Sequence, residues 1–166
     1  MIIQDKIDDL YQILDPMIGL PVTFTQVSAG SIFFLGLGFA SNRVNKTDPA
    51  NFPHREWELF VEYGGWRIDT DTRILAACED DHDVMSNGLK SLEGSRLSKI
   101  HIEKPALDAH FTFDNGSTLH LYAISSEDDS NWAIYGNELS IFMKLNKGVW
   151  EVYSKSDISG ISGNRP

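Results

Sequence analysis

The chain has 166 residues, the ordinary size of one domain, and is long enough to bury a hydrophobic core without disulfides or a structural metal. Its 24 acidic and 14 basic residues give a formal net charge of −10, which disfavours nucleic acid and anionic membranes as ligands and attracts basic proteins. Apolar residues make up 42% and charged residues 23%, a composition that excludes a wholly disordered chain.

The N-terminus and the cysteine content bear on the location of the protein. The chain starts without a charged segment followed by a long apolar one, and its longest apolar run, residues 32–40, is shorter than the roughly 20 residues of a membrane span. Cys78 is the only cysteine, so it cannot form an intramolecular disulfide, and a lone thiol is typical of the reducing cytosol. We expect a cytoplasmic protein with Cys78 in its core.

The first predicted element is an amphipathic helix over residues 3–14. Its apolar residues recur every three or four positions, and Asp15 and Pro16 end it. The apolar period then becomes two, which predicts strands over residues 22–28 and 32–40. The second of these is apolar enough to be buried on both faces.

Glycines and a polar stretch then interrupt the strand pattern. Gly36 and Gly38 indicate a bulge or a close approach of another backbone within the second strand. The aperiodic residues 42–54 predict a loop.

The next strands are predicted to form a hairpin over residues 57–70, with Gly64 and Gly65 as a two-residue turn. This register pairs apolar residues with each other and joins opposite charges. The predicted pairs are Tyr63 with Trp66, Glu62 with Arg67 and Val61 with Ile68.

A further hairpin surrounds the sequence DNG at residues 114–116. A two-residue loop would place Phe111 opposite His120 and mix polar with apolar residues on each face. A three-residue loop, with Gly116 left-handed, places His110 opposite His120 on a polar face and gathers phenylalanines and leucines on the other. The sequence favours this second register.

The remaining elements are a helix, a strand and a last hairpin. Helical spacing over residues 80–92 and alternation over residues 97–102 predict the first two. The last hairpin is predicted over residues 141–153. Apolar residues pair with apolar residues when Leu145 faces Trp150, and this register also aligns Met143 with Val152.

Together these elements predict an α+β fold: a predominantly antiparallel β-sheet built of hairpins, with an N-terminal helix and one internal helix. We expect a single globular domain over residues 1–155. Residues 156–166 contain little that could pack, and we expect a flexible C-terminal tail there.

The most acidic stretch is CEDDHD at residues 78–83, which carries the carboxylates of Glu79, Asp80, Asp81 and Asp83. It does not fit a calcium loop, because the fifth, sixth and twelfth positions counted from Asp81 are Met, Ser and Leu. It also lacks a second pair of ligands at a zinc spacing. Carboxylates stabilise a helix start by about 0.3 to 1 kcal/mol each, but four exceed that need. A helix start with a solvated face, recognition of a basic partner, and a metal site are the three interpretations.

A second acidic run, Glu127, Asp128 and Asp129, comes shortly before Trp132. A surface loop would explain the run. Tryptophan beside carboxylates is also typical of an interface that anchors a basic protein.

The spacing of residues reveals no catalytic arrangement. GLGFAS at residues 36–41 lacks the third glycine of a phosphate loop, and GISG at residues 160–163 is only a fragment of a nucleophile elbow. His110 and His120 could bind a metal or share a proton, but no third ligand is evident. The sequence therefore favours a binding protein, without metal or cofactor, over an enzyme.

Several stretches resemble known proteins over roughly residues 55–135. They are REWELF, GGWRID, RILAACEDD, LKSLEG, PALDAHFTFDNGSTLHLY and NWAIY. These stretches are similar to small acidic bacterial immunity proteins of contact-dependent growth inhibition and polymorphic toxin systems. The shared patterns are structural and carry no catalytic signature.

The resemblance implies a cytosolic immunity protein that neutralises a cognate toxin domain, expected to be a nuclease, by direct stoichiometric binding. This agrees with the net charge, because a nuclease holds phosphates in a cationic cleft that carboxylates can occupy. The residues expected to meet the toxin are Glu79, Asp80, Asp81, Asp83, Glu127, Asp128, Asp129 and Trp132. The alternatives are a metal-assisted hydrolase that uses the acidic and histidine residues, and a non-enzymatic structural or regulatory module.

Overall fold

The computed structural model of the protein describes residues 2–40, 55–62, 64–127, 132–136, 138–144 and 148–154. The loop predicted at 42–54 and the tail predicted at 156–166 lie outside these residues. The described residues form two antiparallel sheets and two α-helices, which confirms the α+β class.

The helices are short and the strands carry most of the described chain. The helices are α1 (Ile7–Leu14), which continues into a 3-10 turn (Asp15–Met17), and α2 (His82–Lys90). The strands are β1 (Ile2–Gln4), β2 (Val22–Val27), β3 (Phe33–Ala40), β4 (Arg55–Val61), β5 (Gly65–Asp69), β6 (Ile74–Ala77), β7 (Leu97–Glu103), β8 (Asp108–Phe113), β9 (Thr118–Tyr122), β10 (Trp132–Tyr135), β11 (Leu139–Lys144) and β12 (Val149–Ser154).

The strands divide between a seven-stranded sheet and a five-stranded sheet. The seven-stranded sheet has the order β1-β12-β11-β10-β4-β3-β2, and the five-stranded sheet has the order β6-β5-β9-β8-β7. Neighbouring strands in both sheets are antiparallel. An alternating sequence in such sheets can turn one face to the core and the other to water.

The apolar faces of the two sheets meet in one hydrophobic core. Phe33 of the seven-stranded sheet lies edge-on to Trp66 of the five-stranded sheet, with ring centroids 5.1 Å apart. Phe111 and Trp132 make a similar contact at 6.0 Å. The indole N–H of Trp66 donates to the carbonyl of Ser31 at 2.9 Å, so its one polar atom is satisfied inside the core.

The two helices close the edges of this core. Leu10 and Leu14 of α1 are buried, and the hydroxyl of Tyr11 accepts the backbone N–H of Ile102 on the edge strand β7 at 2.8 Å. This contact satisfies an edge N–H that could otherwise pair with another chain. The helix α2 packs against β2 and β6.

The predicted N-terminal helix exists but begins later than expected. Residues 2–4 form β1, which pairs with β12, and the helix covers Ile7–Leu14. Helical spacing alone could not reveal the pairing partner, which lies about 150 residues away in the chain and supplies a ladder of backbone hydrogen bonds.

The predicted strands over residues 22–28 and 32–40 are confirmed as β2 and β3. Pairing of β3 with β4 shifts register after Leu37, and Gly38 has a φ of +80°. A Cβ on Gly36 would lie 2.4 Å from Cγ of Arg55. The predicted bulge is therefore present, and the groups that approach the two glycines closely are side chains of neighbouring strands, not another backbone.

The hairpin predicted over residues 57–70 is wrong. The strand β4 pairs with β3 and β10, whereas β5 pairs with β6 and β9 in the other sheet. The chain changes sheet at Gly64 and Gly65, and Tyr63 lies outside the described residues. The local pairing was plausible, but Leu59 and Val61 instead lie between the apolar residues of two other strands and are buried.

The two later hairpins are present, one in the predicted register and one not. Phe111 lies opposite Leu119, and Gly116 has a φ of +84°, which confirms the three-residue loop. In the last hairpin Met143 lies opposite Trp150, two residues from the predicted register. A shift of two keeps every side chain on its predicted face, so the pattern of apolar residues could not distinguish the registers.

We predict that Gly88→Ala destabilises the protein by about 1 to 3 kcal/mol. A Cβ at this position would lie 2.3 Å from Cβ of Ala76, so α2 must move away from β6. In an open helix the same change stabilises by about 1 kcal/mol, so the sign of the effect is diagnostic. The free energy of urea unfolding measures it, with Asn87→Ala, an exposed position on the same helix, as the control. A stabilised Gly88→Ala protein would contradict this packing.

Candidate functional site

The outward face of the five-stranded sheet carries a cluster of ionisable side chains, which we call the polar face. It consists of Arg67, Asp69, His101, Glu103, His110, His120 and Tyr122. Alternation in β8 and β9 produces it, because the apolar residues between these positions are buried in the core.

Strand register aligns three histidines side by side across the polar face. His101 pairs with His110, His110 with His120, and His120 with Arg67. Neighbouring strands lie about 4.8 Å apart, so successive side chains of this row touch. The predicted opposition of His110 and His120 is confirmed, and His101 joins them.

The two central histidines are hydrogen bonded to each other through the same ring atom. The Nδ1 atoms of His110 and His120 lie 2.7 Å apart. A contact this short needs one N–H donor and one bare nitrogen acceptor, so the two rings share a single proton at this point. The ring planes are nearly perpendicular, at 73°.

An aspartate determines which histidine is the donor. Nε2 of His120 lies 2.8 Å from Oδ1 of Asp69, and an ionised carboxylate can only accept. A neutral His120 therefore carries its proton on Nε2, and its bare Nδ1 accepts from Nδ1–H of His110. The result is a directed chain from His110 through His120 to Asp69.

Arg67 completes this end of the polar face. Its Nε donates to Oδ2 of Asp69 at 2.8 Å, and its Nη2 donates to the hydroxyl of Tyr122 at 3.2 Å. The guanidinium also lies over the Tyr122 ring, 5.7 Å from its centroid. Both oxygens of Asp69 are thus occupied, and its negative charge is balanced by Arg67.

Glu103 lies at the other end of the chain of contacts. Its Oε1 is 3.3 Å from Nε2 of His101 and 3.7 Å from Nε2 of His110. His101 and Glu103 are exposed, whereas the side chains of His110 and His120 are about four-fifths covered. The arrangement can therefore receive a proton from solvent at the Glu103 end.

The surroundings shift the pKa of three groups on the polar face. Burial, and then the charge of His120, lower the pKa of His110 below its ordinary 6.5. Burial alone would raise the pKa of Asp69, but the hydrogen bonds from His120 and Arg67 together hold it below its ordinary 3.8. Burial raises the pKa of Tyr122, which keeps its hydroxyl protonated.

Part of the polar face escaped sequence reasoning. The sequence predicts Arg67 and Asp69 in a hairpin with β4, and it predicts the strand of His101 without indicating which strand lies beside it. One usable signal existed, because Ile100 and Ile102 on either side of His101 indicate that the histidine points away from the core. Among the residues that the structure describes, no group of three or more His, Cys, Asp or Glu side chains is arranged to hold a metal ion.

The first acidic stretch lies where β6 leads into α2, and Glu79, Asp80, Asp81 and Asp83 are all exposed. Oδ2 of Asp80 accepts the backbone N–H of Ala77 at 2.7 Å and so stabilises the turn. Asp81 is the N-cap residue of α2, but its side chain makes no capping hydrogen bond. The helix therefore engages these carboxylates less closely than a helix start usually does.

The two acidic runs leave the same end of the five-stranded sheet. The backbone N–H of Cys78 donates to the carbonyl of Trp66 at 3.0 Å, and Gly65 pairs with Tyr122. The strands β6 and β9 lie on either side of β5, so their ends are about 10 Å apart. Glu127 follows β9 by five residues and is exposed, while Asp128 and Asp129 lie outside the described residues.

Two expectations about single side chains need correction. Trp132 is only 3% exposed and packs on Phe111 in the core, so it is not available as a surface anchor. Its position at the start of β10 turns it inward opposite Val61, which the acidic neighbours in sequence could not indicate. Cys78 is only partly buried, although it packs against the core as expected.

Comparison of the chain with family models, with curated proteins and with solved structures gives no match. None of the helices in the described ranges has the length and apolar character needed to cross a membrane.

We predict that the free energy of unfolding falls as the pH decreases from about 6.5 towards the lowered pKa of His110. In this interval the unfolded chain binds the proton and the folded protein does not, so acid favours unfolding. Urea unfolding between pH 8 and pH 5 measures the effect. Asp69 acts separately, because its lowered pKa adds stability that is lost only below its ordinary 3.8.

The variant His110→Gln should lose less stability over this pH interval than the wild type. His82→Gln, which removes an exposed histidine on α2, should behave like the wild type and serves as the control. Equal slopes for the wild type and His110→Gln would contradict the prediction.

Proposed function

We propose that this chain is a cytosolic immunity protein that neutralises a basic toxin domain, expected to be a nuclease, by direct stoichiometric binding through its acidic residues. The observation that carries the proposal is the exposure of Glu79, Asp81 and Asp83. Within the described part of the chain, no Lys, Arg or His lies within ion-pair distance of these three carboxylates. Their charge is therefore free to act on a partner.

The geometry of the turn supports this role. Asp80 uses its carboxylate to accept the N–H of Ala77, which orders the turn and presents Glu79 and Asp81 on either side of it. Ordering a charged turn in advance reduces the entropy lost when a partner binds. We assign Asp80 to positioning the turn as well as to the acidic surface.

The second acidic run supports the same surface. Glu127 is exposed and follows β9, whose end lies about 10 Å from the end of β6. At physiological salt the Debye length is about 8 Å, so the two runs are partly screened from each other, and each acts mainly on a partner that comes close to this end of the sheet. Asp128 and Asp129 belong to the proposal by sequence alone, and Trp132 is left out of it because it is buried.

The physical mechanism is competition for a cationic cleft. A nuclease needs positive charge to hold phosphates, and carboxylates presented by a folded turn can occupy or flank that cleft. Opposite charges also accelerate the encounter of the two proteins, and salt weakens this acceleration. The proposal therefore requires fast association that depends on ionic strength.

We predict that the variant Glu79→Lys/Asp81→Lys/Asp83→Lys associates with the proposed cognate basic toxin domain about 10- to 100-fold more slowly at low salt. Like charges then face each other across the interface. Surface-immobilised binding kinetics at several salt concentrations measure the association rate, and co-expression with the toxin domain measures protection of the cells.

The matched control is Asp8→Lys/Asp15→Lys/Asp71→Lys, which changes exposed residues away from the acidic turn. Each replacement of an acid by lysine adds two charges, so both triple variants have a formal net charge of −4 instead of −10. The control should retain most of the association rate and the protection. Equal losses in the two variants would attribute the effect to net charge, and no loss in either would refute the proposed surface.

A further inference from the structure

We propose that His110 and His120 form a proton-sharing pair that takes up one proton with its contact intact and separates when a second proton binds. The pair would make the polar face a pH-operated element of the fold. The inference stands on the geometry of the polar face and does not depend on the proposed function.

The neutral pair already contains one shared proton. Nδ1–H of His110 donates to the bare Nδ1 of His120 across 2.7 Å, and Nε2–H of His120 donates to Asp69 across 2.8 Å. Of the two ring nitrogens without a proton, Nδ1 of His120 accepts the shared hydrogen bond, so Nε2 of His110 is the one left open to a further proton. A bare nitrogen there faces Oε1 of Glu103 at 3.7 Å, where it has nothing to donate.

The first added proton binds at this position. Protonation of Nε2 of His110 creates a cation that faces the Glu103 carboxylate, and the contact between the Nδ1 atoms is unchanged. The shared hydrogen bond then has a charged donor, which shortens and strengthens such bonds. The pair reaches a charge of +1 without any movement of the strands.

The second proton has no such site. The only nitrogen left is Nδ1 of His120, and protonating it would place two N–H groups head to head at a distance of 2.7 Å. Neither group could accept, and two positive rings would be in contact. The pair must separate before it binds this proton, because no rotation about the shared contact restores a donor and an acceptor.

The groups around the pair make the first step easier than the second. The strand β5 contributes Arg67 and Asp69, and β7 contributes His101 and Glu103. The strands that carry the pair add Asp108, which accepts the backbone N–H of Ala123, and Tyr122, which stacks on His120. The three carboxylates and the one arginine carry a combined charge of −2. This charge offsets the single positive charge that the first proton gives the pair. With two positive charges on the pair and a further one on a protonated His101, the positive charges outnumber the negative ones.

The test is an NMR titration of the ring nitrogens of the full-length protein between pH 8 and pH 4. At pH 8 we expect a protonated Nδ1 on His110, a protonated Nε2 on His120, and a coupling across the shared hydrogen bond. The pair should take up its two protons in steps separated by more than about one pH unit, as strongly interacting sites do. The coupling should survive the first step and disappear in the second.

Variants distinguish the shared proton from independent titration. In His120→Gln, His110 should titrate in a single step, while His101→Gln should retain both steps and the coupling. His82, exposed on α2 and away from the polar face, is the internal chemical-shift reference. The proposal is overturned if both Nδ1 atoms are bare at pH 8, or if His110 and His120 of the wild type titrate independently of each other.

Discussion

The contact between the apolar faces of the two sheets is the constraint on which the rest of this structure depends. Phe33 against Trp66 and Phe111 against Trp132 join the sheets at two places in one core. Burial of such rings is the largest favourable contribution that the chain has available. Because strand side chains alternate, turning these residues inward forces His110, His120 and Arg67 outward. The polar face is thus a geometric consequence of how the core is packed.

The passage of the chain between sheets at Gly64 and Gly65 determines the composition of that face. Had β4 and β5 formed a hairpin, Arg67 would have paired with Glu62 and lain away from the histidines. By joining the other sheet, β5 brings Arg67 next to His120 and places Asp69 within hydrogen-bonding distance of its ring. The same passage places the start of β5 beside the ends of β6 and β9, from which the acidic runs emerge. One change of partner therefore organises both charged regions.

Features set by neighbouring residues could be predicted from the sequence, and features set by distant strands could not. The α+β class, the loop at residues 114–116 and the opposition of His110 and His120 follow from alternation and turn chemistry within a dozen residues. The placement of Asp69 and His101 beside this pair requires the pairing of β5 with β9 and of β7 with β8. The apolar pattern of a strand does not determine which other strand it pairs with when several strands have similar patterns. The burial of Trp132 is a case of the same kind, because it depends on its neighbours in β4 and in the other sheet.

The two charged regions of the described chain differ in how their charge is balanced. On the polar face Asp69 is matched by Arg67, and Glu103 lies beside His101 and His110, so each of these carboxylates has a cation or a proton-binding ring within reach. At the acidic turn, Glu79, Asp81 and Asp83 have no such cations in the described chain, and their field extends into solvent. A field that reaches beyond the surface attracts a charged partner, whereas a balanced cluster responds mainly to pH. The fold therefore separates an acidic turn at one end of the five-stranded sheet from a histidine cluster on the outward face of that sheet.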